Sequence, residues 1–244
     1  MCIPVTSTFK TFSAPTLFRI AQTACELLNE VHSPTSGGND NALVSIVFSA
    51  ASVEAFFNEL PELLSSHPEL LKDELPQVST FVKLADEIES SKGSIKLKYL
   101  LAYSILSGQP CEKGDPPYQN LSLLIEARNG LMHMKPSNSS GEAKPDGTLV
   151  MGPTPKILER FRALSIMDVS ETSLSVPIMD ATQTTHSVQV SIPLPWIHRI
   201  ATQAAASWAC NTAVDVVDSI LKVVPDGPHK PNLLEICKVF KHRS

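Results

Sequence analysis

From Leu43 to Phe57 the chain carries a single charge, Glu54, and puts apolar or small residues on every face of a helix. A helix that is apolar all round has no side to turn to water, so it has to lie in the middle of something. The stretch predicts a central core helix over about 41–64, with Asn39 or Asp40 as its N-cap. Ser45, Ser49, Ala50, Ala51 and Ser52 are small and let neighbouring helices come close. The apolar run is too short to span a bilayer and is interrupted by Glu54, so no membrane association is expected.

Other helices follow from apolar residues spaced three and four apart. Leu17, Ile20, Ala21, Ala24, Leu27, Leu28 and Val31 predict a helix over 15–32, with Ser13 as N-cap and Pro15 in its first turn. It stops in the breaker stretch Ser33 to Gly38, and residues 1–14 read as an irregular arm. A third helix is expected over 75–106, with a break near Lys92-Gly93-Ser94. A fourth covers 118–135, and a long one covers 196–223. A short last helix fits Asn232 to Val239. Residues 136–195 read as an irregular insertion before the C-terminal helix. Within it Ser137 to Gly147 is a polar loop and Lys156 to Leu164 fits a short helix. The alternation in Thr172 to Ile178 and Ser187 to Ile192 fits a small β-hairpin. The expectation is an all-α helical bundle, one domain over residues 1–244.

The 244 residues are 43% hydrophobic, enough for one sizeable core, and only 6% aromatic, which suits a bundle of Leu, Ile, Val and Ala better than a β-sandwich. The formal net charge is -5, and the basic residues cluster only at Lys92 to Lys98 and Lys238 to Arg243. That argues against holding duplex nucleic acid along a broad surface; any nucleic-acid role has to be local. Five cysteines, scattered and without a Cys-x-x-Cys pair, argue against a disulfide framework and a zinc ribbon. They fit a reducing cytosol, as does an N-terminus without the basic start and apolar run of a signal peptide. Gly37-Gly38 is not followed by Lys-Ser/Thr, and neither a Gly-x-Ser-x-Gly elbow nor a His-x-x-x-His spacing occurs. No metal or cofactor is expected.

The chemistry concentrates on the fourth helix. On a wheel of about 100° per residue, Leu121, Leu124, Ile125, Leu131 and Met132 share one face, and Arg128 falls in its middle. A guanidinium there is costly unless a charge answers it, and Glu54 of the central helix is the candidate. Leu123, Ala127 and Met134 make a further face apolar, so the helix is expected to be buried on most sides. One polar stripe remains: Ser122, Glu126, Asn129 and His133. Asn129 and His133 are four residues apart and so adjacent on the surface. An imidazole acts as general base near neutral pH, a guanidinium offers forked donors to a phosphate, and an amide orients either. Such a group suits attack of a ribose 2′-hydroxyl on the adjacent phosphate without a metal. The plainer alternative is an Arg–Glu salt bridge beside a satisfied polar pair.

The segment Glu126-Ala127-Arg128-Asn129-Gly130-Leu131-Met132-His133-Met134-Lys135-Pro136 resembles the signature of the HEPN superfamily: Arg, a polar residue that is commonly Asn, three residues, then His. Ser49 to Leu60 is similar to the second helix of that group, and Ala204 to Ala213 to its C-terminal helix. The resemblance covers residues 15–135 and 196–222 in segments. It implies an up-and-down bundle that dimerises through the motif helices. It implies RNA as substrate, cut without a metal at a homodimer cleft, with Arg128, Asn129 and His133 as catalytic residues and Glu54, Glu126, Ser122 and Lys135 in support. Family members work in toxin–antitoxin, phage-defence or RNA-processing systems. Others are non-catalytic modules that bind a protein partner, such as an antitoxin or a nucleotidyltransferase, or a nucleotide.

Overall fold

A computed structural model describes residues 11–30, 39–65, 75–133, 141–143, 149–151, 156–168, 171–179, 185–193 and 195–242. Residues 1–10 of the arm expected over 1–14, the breaker stretch 33–38, Met134 to Pro136 and most of the polar loop 137–147 lie outside these residues. Helix α1 spans Ala14–Glu30 and α2 spans Asp40–Leu64. Ser13 sits just before α1, and its carbonyl accepts the Leu17 N–H at 3.0 Å. The N–H groups of Ser13 and Ala14 donate to the Glu59 carboxylate at 2.6 and 3.2 Å. A carboxylate from α2 thus meets the positive end of α1, which ties the two helices at one end.

Asn39 is the N-cap of α2: its side chain accepts the Asn41 N–H at 3.0 Å, and its own N–H donates to the Ala201 carbonyl at 3.2 Å. The small residues of α2 serve as expected. Ser45, Ser49 and Ser52 are fully buried yet satisfied, Ser52 donating to the Ser49 carbonyl at 2.8 Å. At 25 residues α2 is long and apolar enough to cross a membrane, more than its apolar run alone suggested. It packs against α1 and, across its serines, against the long helix near the C-terminus.

The third expected helix is two. Pro76–Ser90 is α3 and Ile95–Ser107 is α4. Lys92 turns the chain with φ 55°, Gly93 donates its N–H to the Ile88 carbonyl at 2.8 Å, and the Ser94 hydroxyl caps α4 by accepting the Leu97 N–H at 3.3 Å. A Cβ on Gly93 would lie 2.3 Å from the Ile88 side chain, so the break needs glycine there.

Helix α5 is Pro116–Met132, not 118–135. Pro116 and Pro117 fill its first turn, where a missing N–H costs nothing, so it starts earlier than the loop reading of those prolines allowed. It ends earlier because His133 leaves helical geometry at φ -118°, ψ 34°. In the insertion, Gly141–Ala143 (β1) pairs antiparallel with Leu149–Met151 (β2), and Lys156–Ala163 forms α6. Glu171–Met179 (β3) and Thr185–Pro193 (β4) form an antiparallel hairpin in register from Glu171 opposite Pro193 to Met179 opposite Thr185.

The long C-terminal helix is also two: α7, Trp196–Ile200, and α8, Gln203–Val223. Thr202 interrupts them. Its hydroxyl donates to the Ile166 carbonyl at 2.8 Å and accepts the Ala205 N–H at 3.0 Å, which starts α8 afresh. The end of α7 is held by the Asp168 N–H donating to the Arg199 carbonyl at 2.7 Å. Lys230–Cys237 (α9) closes the chain, and Phe240 behind it returns to the core. Helices α1, α2, α4, α5 and α8 supply most of the buried side chains, with α2 and α8 at the centre.

Candidate functional site

Helix α5 enters the core at its start and leaves it at its end. Leu121, Leu123, Leu124, Ile125 and Ala127 are buried. Leu131 is half-buried against the core, and Met132, expected on the buried face, is 58% exposed. The apolar face therefore runs out before the helix ends, since among the described residues nothing buries Met132. The polar residues of the motif stand at this open end.

Arg128 is half-buried with its head group fixed. One Nη donates to Glu54 Oε2 at 3.2 Å, and the other donates to Asn129 Oδ1 at 3.0 Å. Glu54 is the charge on α2 that the sequence offered for this purpose. The two side chains keep 30% and 37% of their surface exposed, so water screens the pair and its contribution to stability is about 0–1 kcal/mol. Its weight is positional. The guanidinium is aimed and retains further N–H donors, since five are available and two are used.

Asn129 joins the two ends of the motif. Its side chain holds Arg128, and its carbonyl accepts the His133 N–H at 3.0 Å. His133 is exposed, at the C-cap position, and its ring has no side-chain partner among the described residues. Arg128, Asn129 and Glu54 are thus one hydrogen-bonded group, with His133 attached through backbone alone.

The other expected residues divide. Glu126 pairs with Arg160 of α6, whose second Nη donates to the Gln119 carbonyl at 3.2 Å, so this acid fastens the insertion to α5 and does not join Arg128. Ser122 is half-buried, one turn before Glu126. Lys135 lies outside the described residues. Among the described residues no three His, Cys, Asp or Glu side chains cluster to hold a metal ion.

Two neighbours were missed from the sequence. Arg160 is one; the helical pattern over 156–164 placed it on a helix but gave no partner. Trp196 is the other. A Cβ built on Gly130 would lie 3.0 Å from Trp196 Cη2 and 3.4 Å from Cζ2, so the glycine inside the motif is the seat of an indole ring from α7. Gly130→Leu is expected to push the ring off α5 and cost about 1–3 kcal/mol. The chain has two tryptophans, and Trp208 packs edge-on against Phe161 with ring centroids 5.4 Å apart. In a Trp208→Phe background only Trp196 emits, and its emission should shift to the red in Gly130→Leu. An unchanged spectrum would mean that the ring does not rest on Gly130.

Compared with family models, with curated proteins and with solved structures, the chain matches none.

Proposed function

We propose that the chain is a HEPN-type helical domain that cleaves RNA without a metal, at a cleft formed where two copies meet through the ends of α5. One observation carries the reading: an exposed imidazole, His133, follows by one helical turn the Asn129 that, together with Glu54, holds the Arg128 guanidinium in place. In this reading His133 takes the proton of a ribose 2′-hydroxyl. The 2′-oxygen then bonds to phosphorus, and the 5′-oxygen leaves. Arg128 donates to the non-bridging oxygens as charge builds on them. The departing 5′-oxygen needs a proton, and one chain brings a single motif histidine, so a second copy supplies it across a twofold axis. Met132, exposed beside His133, is apolar surface that such pairing would cover. A reducing cytosol suits a chain of this kind, and an antitoxin or a nucleotidyltransferase is the expected class of partner.

The non-catalytic alternative, a module that binds a protein partner or a nucleotide, also has an observation in its favour. Both arginines near the motif are already answered by carboxylates, Arg128 by Glu54 and Arg160 by Glu126, on a chain of net charge -5. That leaves little free positive charge to draw in RNA. Incubation of the purified chain with defined single-stranded and structured RNAs, with and without EDTA, separates the two. Cleavage that survives EDTA and leaves 2′,3′-cyclic phosphate and 5′-hydroxyl ends is the expected result. Intact RNA across the set, with a protein that co-purifies on the α5 face, would establish the alternative.

A further inference from the structure

Cys25 on α1 and Cys210 on α8 line one small cavity of about 150 Å³, together with Ser207, Glu26, Gln22 and Lys241. Cys25 is half-exposed, and its Sγ lies 3.6 Å from the Ser207 hydroxyl, one helical turn before Cys210. Cys210 is 8% exposed and sits on the inner wall. Its Sγ is 3.3 Å from Ser45 Oγ and accepts from Ser49 Oγ at 3.6 Å, both on α2. Cys25 is a further hydrogen-bond neighbour of the same sulfur. Around them the helices meet through small side chains: Cys25 packs against the buried cluster of Leu28, Ala42, Ala201 and Ala206. Close helix approach of this kind suits a disulfide, which needs Cα atoms roughly 4.4–6.8 Å apart.

We propose that Cys25 and Cys210 form a redox modification site, in which a low-molecular-weight hydroperoxide converts the two thiols into a reversible disulfide that staples α1 to α8. The roles differ by access. Cys25 is the more exposed of the two thiols and so the one that meets the peroxide first. The Cys25 thiolate attacks one peroxide oxygen, the O–O bond breaks, and the departing oxygen takes a proton, leaving a sulfenic acid. The adjacent thiol and burial push the Cys210 thiol well above its ordinary pKa, so it stays protonated and unreactive toward solvent. Held against Cys25, it gives up its proton as its sulfur attacks the sulfenic sulfur; the S–O bond breaks and water leaves. Two thiols and one hydrogen peroxide become one disulfide and two waters, the sulfurs losing the two electrons that the peroxide gains. The inference rests on the packing of α1 against α8 and is independent of the RNA reading.

The test uses the full-length chain, reduced, freed of reductant and treated with hydrogen peroxide. It is then denatured, alkylated with iodoacetamide and mapped by mass spectrometry. The expected result is a protein lighter by two hydrogen atoms, with the Cys25 and Cys210 peptides joined, neither alkylated, and both recovered as alkylated thiols after dithiothreitol. No substitution is needed for that result, so folding of a variant does not enter. Cys25→Ser should remove the cross-link, and Cys111→Ser should leave it unchanged. Accumulation of sulfinic or sulfonic acid on Cys25 without a cross-link would overturn the proposal. So would a disulfide from either cysteine to Cys2, Cys111 or Cys237, or two thiols that remain fully alkylatable.

Discussion

His133→Ala is expected to lose RNA cleavage by about 10²–10⁴-fold while its unfolding curve stays within roughly 0.5 kcal/mol of the parent chain. The rate loss follows from the role: a positioned imidazole accepts the 2′-hydroxyl proton as the bond to phosphorus forms, and alanine cannot. The unchanged stability follows from position. His133 is exposed and lies beyond the last turn of α5, so its ring contributes no packing that the fold relies on. The backbone N–H that donates to Asn129 survives the substitution. Single-turnover rates on one defined RNA, with denaturant titration of the same preparation, measure both halves. Cleavage at the parent rate would remove His133 from the chemistry and with it the proposed function. A large drop in stability would mean that the ring is not the solvent-facing group described above.

Arg128→Ala makes an instructive contrast. It should also lose activity, by about 10²–10³-fold, as expected when a preorganised charge-stabilising group is removed. It does more than remove a donor, however. It strips Glu54 of its partner and leaves Asn129 Oδ1 without the guanidinium it accepts from. Glu54 keeps 37% of its side-chain surface, so water can solvate the orphaned carboxylate and the stability loss should stay near the small value of an exposed pair. The two substitutions together distinguish loss of a base from loss of a phosphate ligand.

Features set by neighbours in sequence were legible before any coordinates. The apolar faces and small residues of Leu43 to Phe57 predicted the central helix, and Lys92-Gly93-Ser94 predicted the break between α3 and α4. The pairing of Arg128 with Glu54 was also legible, because only one charge interrupts the apolar run of α2. The break between α7 and α8 was not. Ala201-Thr202 contains neither glycine nor proline, the apolar period runs through it, and the Thr202 hydroxyl acts on Ile166, which sequence does not place nearby. The early end of α5 was hidden as well: no glycine follows Met132 to mark it, and the turn of His133 out of helical geometry has no signature in the apolar period. Arg160 against Glu126, Trp196 against Gly130 and Cys25 beside Cys210 all join residues far apart in the chain. Each side of such a contact looks ordinary by itself, and periodicity carries no information about which partner it will meet.

Phe56→Ala should produce the largest stability loss of a single truncation in the core, about 3–5 kcal/mol. Phe56 is 1% exposed and lies edge-on to Phe57 at 5.2 Å and tilted against Phe240 at 6.4 Å; Phe240 stacks on Phe18 at 4.4 Å. These rings come from α1, α2 and the segment after α9, so one side chain helps hold three parts of the chain that are not consecutive. Truncation leaves a cavity bounded by rings on rigid helices, which close it poorly. For a chain of this size, 1 kcal/mol moves the melting temperature by roughly 2–4 °C, so a fall of about 6–20 °C is expected. Leu234→Ala on α9, where the leucine is 46% exposed, serves as the control and should change little. Phe240→Ala should also be costly, and the double variant should lose less than the two single losses added, because the rings share one contact. A loss below about 1 kcal/mol for Phe56→Ala would mean that α2 is not the centre of the core. The same helix carries Glu54 two residues earlier, roughly 200° around the axis. One face of α2 thus anchors the fold while the other holds Arg128. Phe56→Ala should therefore reduce cleavage through a loosened Glu54–Arg128 pair, whereas His133→Ala should reduce it with the fold intact.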